Sequence, residues 1–418
     1  MTVRTSALGN GLRVVSHRMP SVETVSLGVW THAGTRNERA EVNGIAHMLE
    51  HMAFKGTRRR SARAIAEEIE SVGGHLNAYT SREFTAYYAT VLKGDEMLAL
   101  DILSDILQHS VFDENELDRE RAVILQEIGQ ANDTPDDVIF DLFQETAFPD
   151  QPVGRPVLGT AELVRAMPRD ALTSYMGEHY TAERMVVAAA GNLDHDRLVA
   201  EVEEVFSGVA TGANAAREPA RYAGGEVRHD RDLEQVHLTL GFEGVAFQDP
   251  DYFALSVMST LLGGGMSSRL FQEVREERGL VYAIYSFAAS YLDGGLFGIY
   301  AGTGEDEAAT VVPVICDILS GLAGTVADDE LKRAKAQIKA GILMSLESTA
   351  SRAEQLARQI LVFDRPLPPD EVSARVEAVD REAIDRIARR LFGCAPTFAA
   401  LGPIARVQPF DEIVERLG

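Results

Sequence analysis

An internal repeat constrains this chain most. Residues 65–92 (IAEEIESVGGHLNAYTSREFTAYYATVL) and 270–302 (LFQEVREERGLVYAIYSFAASYLDGGLFGIYAG) each run from a helical pattern through glycine into two strand-like stretches. Similar segments in the two halves of a 418-residue chain point to duplication, with two similar α+β domains, each an α/β sandwich of about 200 residues. The surrounding pattern agrees. In the first half it predicts a hairpin over 5–8 and 12–17 around Gly9-Asn10-Gly11, a strand at 25–30, and helices at 45–54 and 62–72. Gly73-Gly74 closes the second helix, strands follow at 75–79 and 84–92, and helical periodicity runs over 96–167. A strand at 185–190 and a helix at 198–206 complete the half.

Residues 207–225, rich in Gly and Ala and without apolar period, read as a linker between a domain at 1–206 and one at 226–418. After it the order recurs, with a strand at 237–242, helices at 252–262 and 268–277, strands at 283–290 and 296–301, and helix over 307–387. Composition narrows the classes. Forty basic against 64 acidic side chains give 40 − 64 = −24, which excludes a sequence-independent nucleic-acid binder and suits cationic partners or mere solubility. No run of about 18 apolar residues suggests a membrane span, and the first residues lack a secretory apolar core, so a cytoplasmic protein, or a mature form whose targeting segment has been removed, is expected. Cys316 and Cys394 lie in apolar stretches and are expected as buried thiols in a reducing compartment, with one disulfide as the alternative.

The chemistry concentrates in His47-Met48-Leu49-Glu50-His51. At about 100° per helical residue, His47, Glu50 and His51 share one face roughly 100° wide. Two imidazoles at i and i+4 can hold one metal ion, and a carboxylate beside them can reach a water on that ion. Nitrogen ligands plus a carboxylate favour Zn²⁺, and the ion needs a third ligand from elsewhere. Glu120 and Glu127, seven residues apart on a helix whose Val123, Ile124 and Ile128 would face the core, are both candidates. Spacing alone does not choose between them.

His47-x-x-Glu50-His51 is the inverted form of the HExxH motif and resembles the pitrilysin-like (M16) zinc metallopeptidases. Asn43-Gly44-Ile45-Ala46 before it and Phe54-Lys55-Gly56-Thr57 after it are similar to that family's flanks. The length is similar to the β-subunit of mitochondrial processing peptidase and its bacterial relatives. The resemblance implies one Zn²⁺ per chain on His47, His51 and Glu127, Glu50 as the base, and Glu120 as an acidic group behind the ligands. It also implies half of a clam-shell chamber, completed by a second copy or by an inactive homologue. Arg275 and Tyr282 match the Arg and Tyr that this family brings to the substrate, here at a partner's zinc site. Their plainer readings are a surface ion pair and a strand-edge tyrosine.

The same resemblance makes Asn77-Ala78 an exposed edge that aligns an extended peptide, places Phe54 beside the substrate, and gives Gly263, Gly264 and Gly265 a part in binding it. A helix cap or a close-packed turn explains those glycines equally. The implied activity is cleavage of unfolded, basic peptides, which an acidic chamber would attract. The alternatives are a non-catalytic scaffold or peptide-binding subunit of the same fold, and an active subunit that needs an inactive partner. All of His47, Glu50, His51 and Glu127 are present, which favours an enzyme. The other histidines show no ligand-like spacing.

Overall fold

A computed structural model describes residues 3–212 and 217–417. Residues 213–216 of the expected linker lie outside the described residues. The chain forms two compact units, one of Met1–Gln130, Arg155–Glu218 and Met344–Leu367, the other of Ala131–Gly154, Pro219–Leu343 and Pro368–Gly418. The division at 1–206, 207–225 and 226–418 follows chain order, whereas each unit takes one segment from the opposite half. Burial of a second sheet face is the physical reason.

The first unit holds a six-stranded sheet of β1 (Val3–Ala7), β2 (Arg13–Arg18), β3 (Thr24–Thr31), β4 (His75–Thr80), β5 (Thr85–Leu92) and β6 (Met185–Gly191). The spatial order is β1-β2-β6-β3-β5-β4, with β2 and β6 parallel and the other pairs antiparallel. Side chains alternate across the pleat. Val14, Leu27, Val29, Ala89 and Val187 point into a core shared with the helix Ile45–Ala53 and the helix Glu96–Gln108. Val15, Trp30, Ala86, Val186 and Ala188 point the other way, onto Ala353, Leu356, Ala357 and Ile360 of the helix Thr349–Phe363. Burial on both faces explains why β6 reads as an unbroken apolar run, MVVAAAG.

The second unit repeats the plan in a five-stranded sheet of β7 (Gly225–Asp230), β8 (Val236–Glu243), β9 (Val281–Ser290), β10 (Gly295–Thr303) and β11 (Thr397–Gly402), ordered β7-β11-β8-β10-β9. Leu238, Leu240, Phe242, Ile299 and Phe398 pack on one set of helices. Leu296, Tyr300, Ala399 and Leu401 meet Ile139, Phe143 and Ala147 of the helix Pro135–Ala147 on the other face. Thus each unit covers one face of its sheet with a helix from the opposite half of the sequence.

The repeated segments occupy equivalent places. Each leads through a left-handed glycine, Gly73 at φ 69° and Gly279 at φ 64°, into a hairpin whose first strand, β4 or β9, is a sheet edge. Residues with a Cβ rarely adopt this left-handed backbone, and glycine takes it at little cost.

Several expectations change in detail. The helix expected at 268–277 is a π-helix over Phe271–Glu277. The stretch 307–387 divides into Ala308–Ser320, Asp328–Ser345, Thr349–Phe363, Pro369–Glu377 and Arg381–Phe392. The short strands β7 and β11 were not expected; they pair in parallel over a sequence distance that no local pattern reports. Neither cysteine forms a disulfide, and Cys394 is half-buried rather than buried, with its thiol donating to Arg390 O at 3.2 Å. Among the described residues no helix is long and apolar enough to cross a membrane.

Candidate metal centre

The helix Ile45–Ala53 turns Ile45, Met48, Leu49 and Met52 into the core and carries His47, Glu50 and His51 half-buried on its other side. The two imidazole rings stand 4.6 Å apart between centroids. Across from them the helix Glu114–Asn132 buries Leu117, Glu120 and Ile124 and leaves Glu127 half-exposed. Val123, expected to pack on the core, is instead 39% exposed, because the core-facing stripe of this helix is narrower than the apolar pattern suggested.

Three donor atoms converge. One atom each from His47, His51 and Glu127 fall within 4.8 Å of one another. Glu127 Oε2 is 3.7 Å from His47 Nε2 and 3.5 Å from His51 Nε2. These separations are too long for hydrogen bonds and close to the edge of about 3.4 Å expected between ligands held about 2.1 Å from a tetrahedral Zn²⁺. Two imidazoles and one carboxylate are a suitable donor set, so the residues fit the ion.

The protonation states suit it too. Burial, helped by the neighbouring His51, holds His47 down to about 4, so its ring is neutral at physiological pH and its lone pair is available. Glu120 takes the other role, accepting from His51 Nδ1 at 2.9 Å. This bond puts the proton on Nδ1 and frees Nε2 for a metal. Lys55 Nζ lies 2.7 Å from the second Glu120 oxygen, so both carboxylate oxygens are engaged. His47 Nδ1, by contrast, is buried with no hydrogen-bond partner among the described residues.

Glu50 stands outside the converging triple. Thr80 Oγ1, at the end of β4, donates to Glu50 Oε2 at 2.6 Å. Burial raises the Glu50 pKa, while the Thr80 hydrogen bond and His51 oppose the rise and Glu127 adds to it. A carboxylate raised in this way is a better proton acceptor than a solvated one. Thr80 and Lys55 were not singled out from sequence, since no spacing rule ties residue 80 to residue 50 or residue 55 to residue 120.

The remaining predicted residues divide between the units. Asn77 and Ala78 lie on the edge strand β4, paired on its inner side with Tyr88 and Tyr87. The exposed Asn77 side chain accepts the Ala78 amide at 2.8 Å. Phe54 caps the histidine helix and packs its ring 6.2 Å from that of Tyr87. In the second unit, the Arg275 guanidinium lies 5.8 Å from the ring centre of Tyr282, which is 75% exposed. Gly263 ends the helix Tyr252–Gly263, where a Cβ would come within 2.3 Å of Ser286 N, so close packing on β9 demands glycine there. None of Gly263, Gly264 and Gly265 has positive φ.

Residues 13–161 match the family model described as Insulinase (Peptidase family M16), and residues 166–338 match Peptidase M16 inactive domain. A relative from Rickettsia bellii (strain RML369-C), named an uncharacterized zinc protease, is 40% identical over 95% of this chain and 97% of its own length. The chain belongs to peptidase family M16. Another M16 relative, from Arabidopsis thaliana, is named a probable mitochondrial-processing peptidase subunit beta and is 41% identical over 99% of this chain and 81% of its own. The M16 fold is shared with a protease from Helicobacter pylori, at TM-score 0.89 and 22% identity over 96% of this chain and 99% of that one. It is shared also with a chain of Complex III2 from Candida albicans, at TM-score 0.88 and 20% identity over the full length of both. In this M16 chain the His47, His51 and Glu127 cluster falls within the first family match and Arg275 and Tyr282 within the second.

Proposed function

We propose that the chain is a zinc-dependent endopeptidase that binds one Zn²⁺ and cuts unfolded, basic peptides inside a chamber completed by a second copy of itself. The convergence of His47, His51 and Glu127 carries this reading, with Glu50 oriented beside them by Thr80. Bound Zn²⁺ supplies Lewis acidity, which acidifies a water and polarises a scissile carbonyl. Glu50 takes the proton of the attacking water and returns it to the leaving amine. Glu120 holds His51 in the ligating tautomer.

Substrate would join β4 as an added strand, since an edge offers backbone groups with little demand on side-chain identity. Asn77 would have to release the Ala78 amide to permit it. The Arg275 and Tyr282 pair would reach the substrate at the partner's zinc site, Tyr282 donating its hydroxyl to the developing oxyanion. The charge of −24 gives basic peptides a long-range attraction. A different, inactive partner chain is the second arrangement compatible with the same site. A scaffold role suits the fold shared with Complex III2 but leaves the complete ligand set unexplained.

The deciding experiment measures zinc per chain and cleavage of a quenched, arginine-containing peptide for wild type and Glu50→Gln, with and without chelator. One zinc with chelator-sensitive, Glu50-dependent cleavage supports the reading. Zinc without cleavage points to a missing partner chain, and no zinc sinks the proposal.

A further inference from the structure

The histidine helix starts without a cap of its own. Its first residue follows Gly44, at φ 95°, which has no side chain to satisfy the orphan amides of the first turn. Glu38, eight residues before Ala46 and only 3% exposed, supplies what is missing. Its Oε2 accepts the Gly44 amide at 2.9 Å and the Asn43 side-chain amide at 2.7 Å, and its Oε1 accepts the Ala46 amide at 2.8 Å. A carboxylate there also complements the positive end of the helix dipole.

The anchor is itself clamped. Arg155 donates to Glu38 O at 2.6 Å, and Asn43 Nδ2 donates a second bond to Pro156 O at 3.1 Å. A Cβ on Gly44 would fall 2.8 Å from Leu158 O, and one on Gly159 would fall 2.4 Å from Asn43 O. The first turn therefore sits between Glu38 on one side and residues 155–159 on the other, in close backbone contact with the latter. Ala46, whose amide Glu38 holds, immediately precedes His47.

We infer that Glu38 is a positioning residue for the metal centre, setting the height and rotation of the helix that presents His47, Glu50 and His51. A helix rises about 1.5 Å and turns about 100° per residue, so a slip of its first turn displaces all three groups together. Misplacement by about 1 Å costs roughly a hundredfold in rate when it reaches reacting groups. Burial of a full carboxylate opposes ionisation and pushes Glu38 up to about 7, against the pull of its three donors and Arg155. At φ 95°, and with a Cβ that would meet Leu158 O at 2.8 Å, position 44 admits no capping side chain, so the first-turn amides depend on a carboxylate brought from outside the helix.

The inference rests on the zinc-peptidase reading, and the test separates the two. Glu38→Gln keeps size and one acceptor but presents an amide donor to a backbone amide. At pH 8, where Glu38 is ionised, wild type and variant are compared for amide hydrogen exchange over residues 44–48, zinc affinity by chelator competition, and kcat and KM on the quenched peptide. The expected result is at least tenfold faster exchange in that segment, weaker zinc binding, and kcat lowered about tenfold with KM unchanged. Wild-type exchange and zinc affinity in the variant would overturn it, as would a kcat loss that only tracks a lowered unfolding temperature. If wild type binds no zinc, the peptidase reading fails while exchange over residues 44–48 still decides the role of Glu38; if it binds zinc without cleaving the peptide, exchange and zinc affinity decide it. Should Glu38→Gln not fold, Glu38→Asp, too short to span both oxygen sites, is expected to give the same exchange pattern, and wild-type exchange in it would equally overturn the inference.

Discussion

Glu120 joins His51 to Lys55: one carboxylate oxygen lies 2.9 Å from His51 Nδ1 and the other 2.7 Å from Lys55 Nζ. In the proposed zinc site the first bond sets the tautomer of His51, and the second fixes the carboxylate in place. Glu120→Gln is expected to weaken zinc binding about 10–100-fold, the usual cost of losing such an outer partner, without abolishing it. Chelator competition reads this directly. By comparison, His51→Ala or Glu127→Gln removes a proposed ligand, and no stoichiometric zinc should survive dialysis.

Thr80 donates to Glu50 and restrains the rise of its pKa caused by burial. Thr80→Val removes the hydroxyl at nearly constant volume. Glu50 then needs a higher pH to ionise, so the acid limb of the kcat/KM profile should move to higher pH, with lower kcat below neutrality. An unshifted acid limb would show that this hydrogen bond does not control the base.

Four half-buried or buried histidines of the first unit, His17, His32, His47 and His179, are each held down to about 4, burial being the largest cause in every case. Between about 4 and 6.5 the unfolded chain therefore binds more protons than the folded one at these positions. Stability from them is complete above about 6.5 and is lost as the pH falls toward 4. Glu38 and Glu50, whose pKa values are raised, act in the opposite sense, two groups against four. Metal-free protein should show a falling unfolding temperature from pH 7 to pH 4.5, and a flat profile would contradict the assignment.

Leu356 is fully buried between the helix Thr349–Phe363 and the second face of the first sheet. Leu356→Ala should destabilise by ~2–5 kcal/mol through lost burial and a residual cavity. Chemical denaturation followed through Trp30, which lines the same cluster, reports this locally. A change under 1 kcal/mol would mean that the crossing helix contributes little to holding the unit together.

Much of the site was legible in residue order because its chemistry is local. His47, Glu50 and His51 share a helix face by periodicity alone, and the repeated helix–glycine–hairpin unit announced two similar domains. Separation of seven residues left Glu120 and Glu127 equivalent. Only the packing of the helix Glu114–Asn132 against the histidine helix brings one carboxylate toward both Nε2 atoms and the other behind His51 Nδ1. Thr80 on Glu50, Lys55 on Glu120 and Glu38 at the start of the helix are likewise contacts between separate elements, invisible to any periodicity. The exchange of Ala131–Gly154 and Met344–Leu367 between the units has the same origin. A helical pattern records that one face is apolar, but which sheet buries that face is decided by the tertiary fold, where burial, not chain order, lowers the free energy.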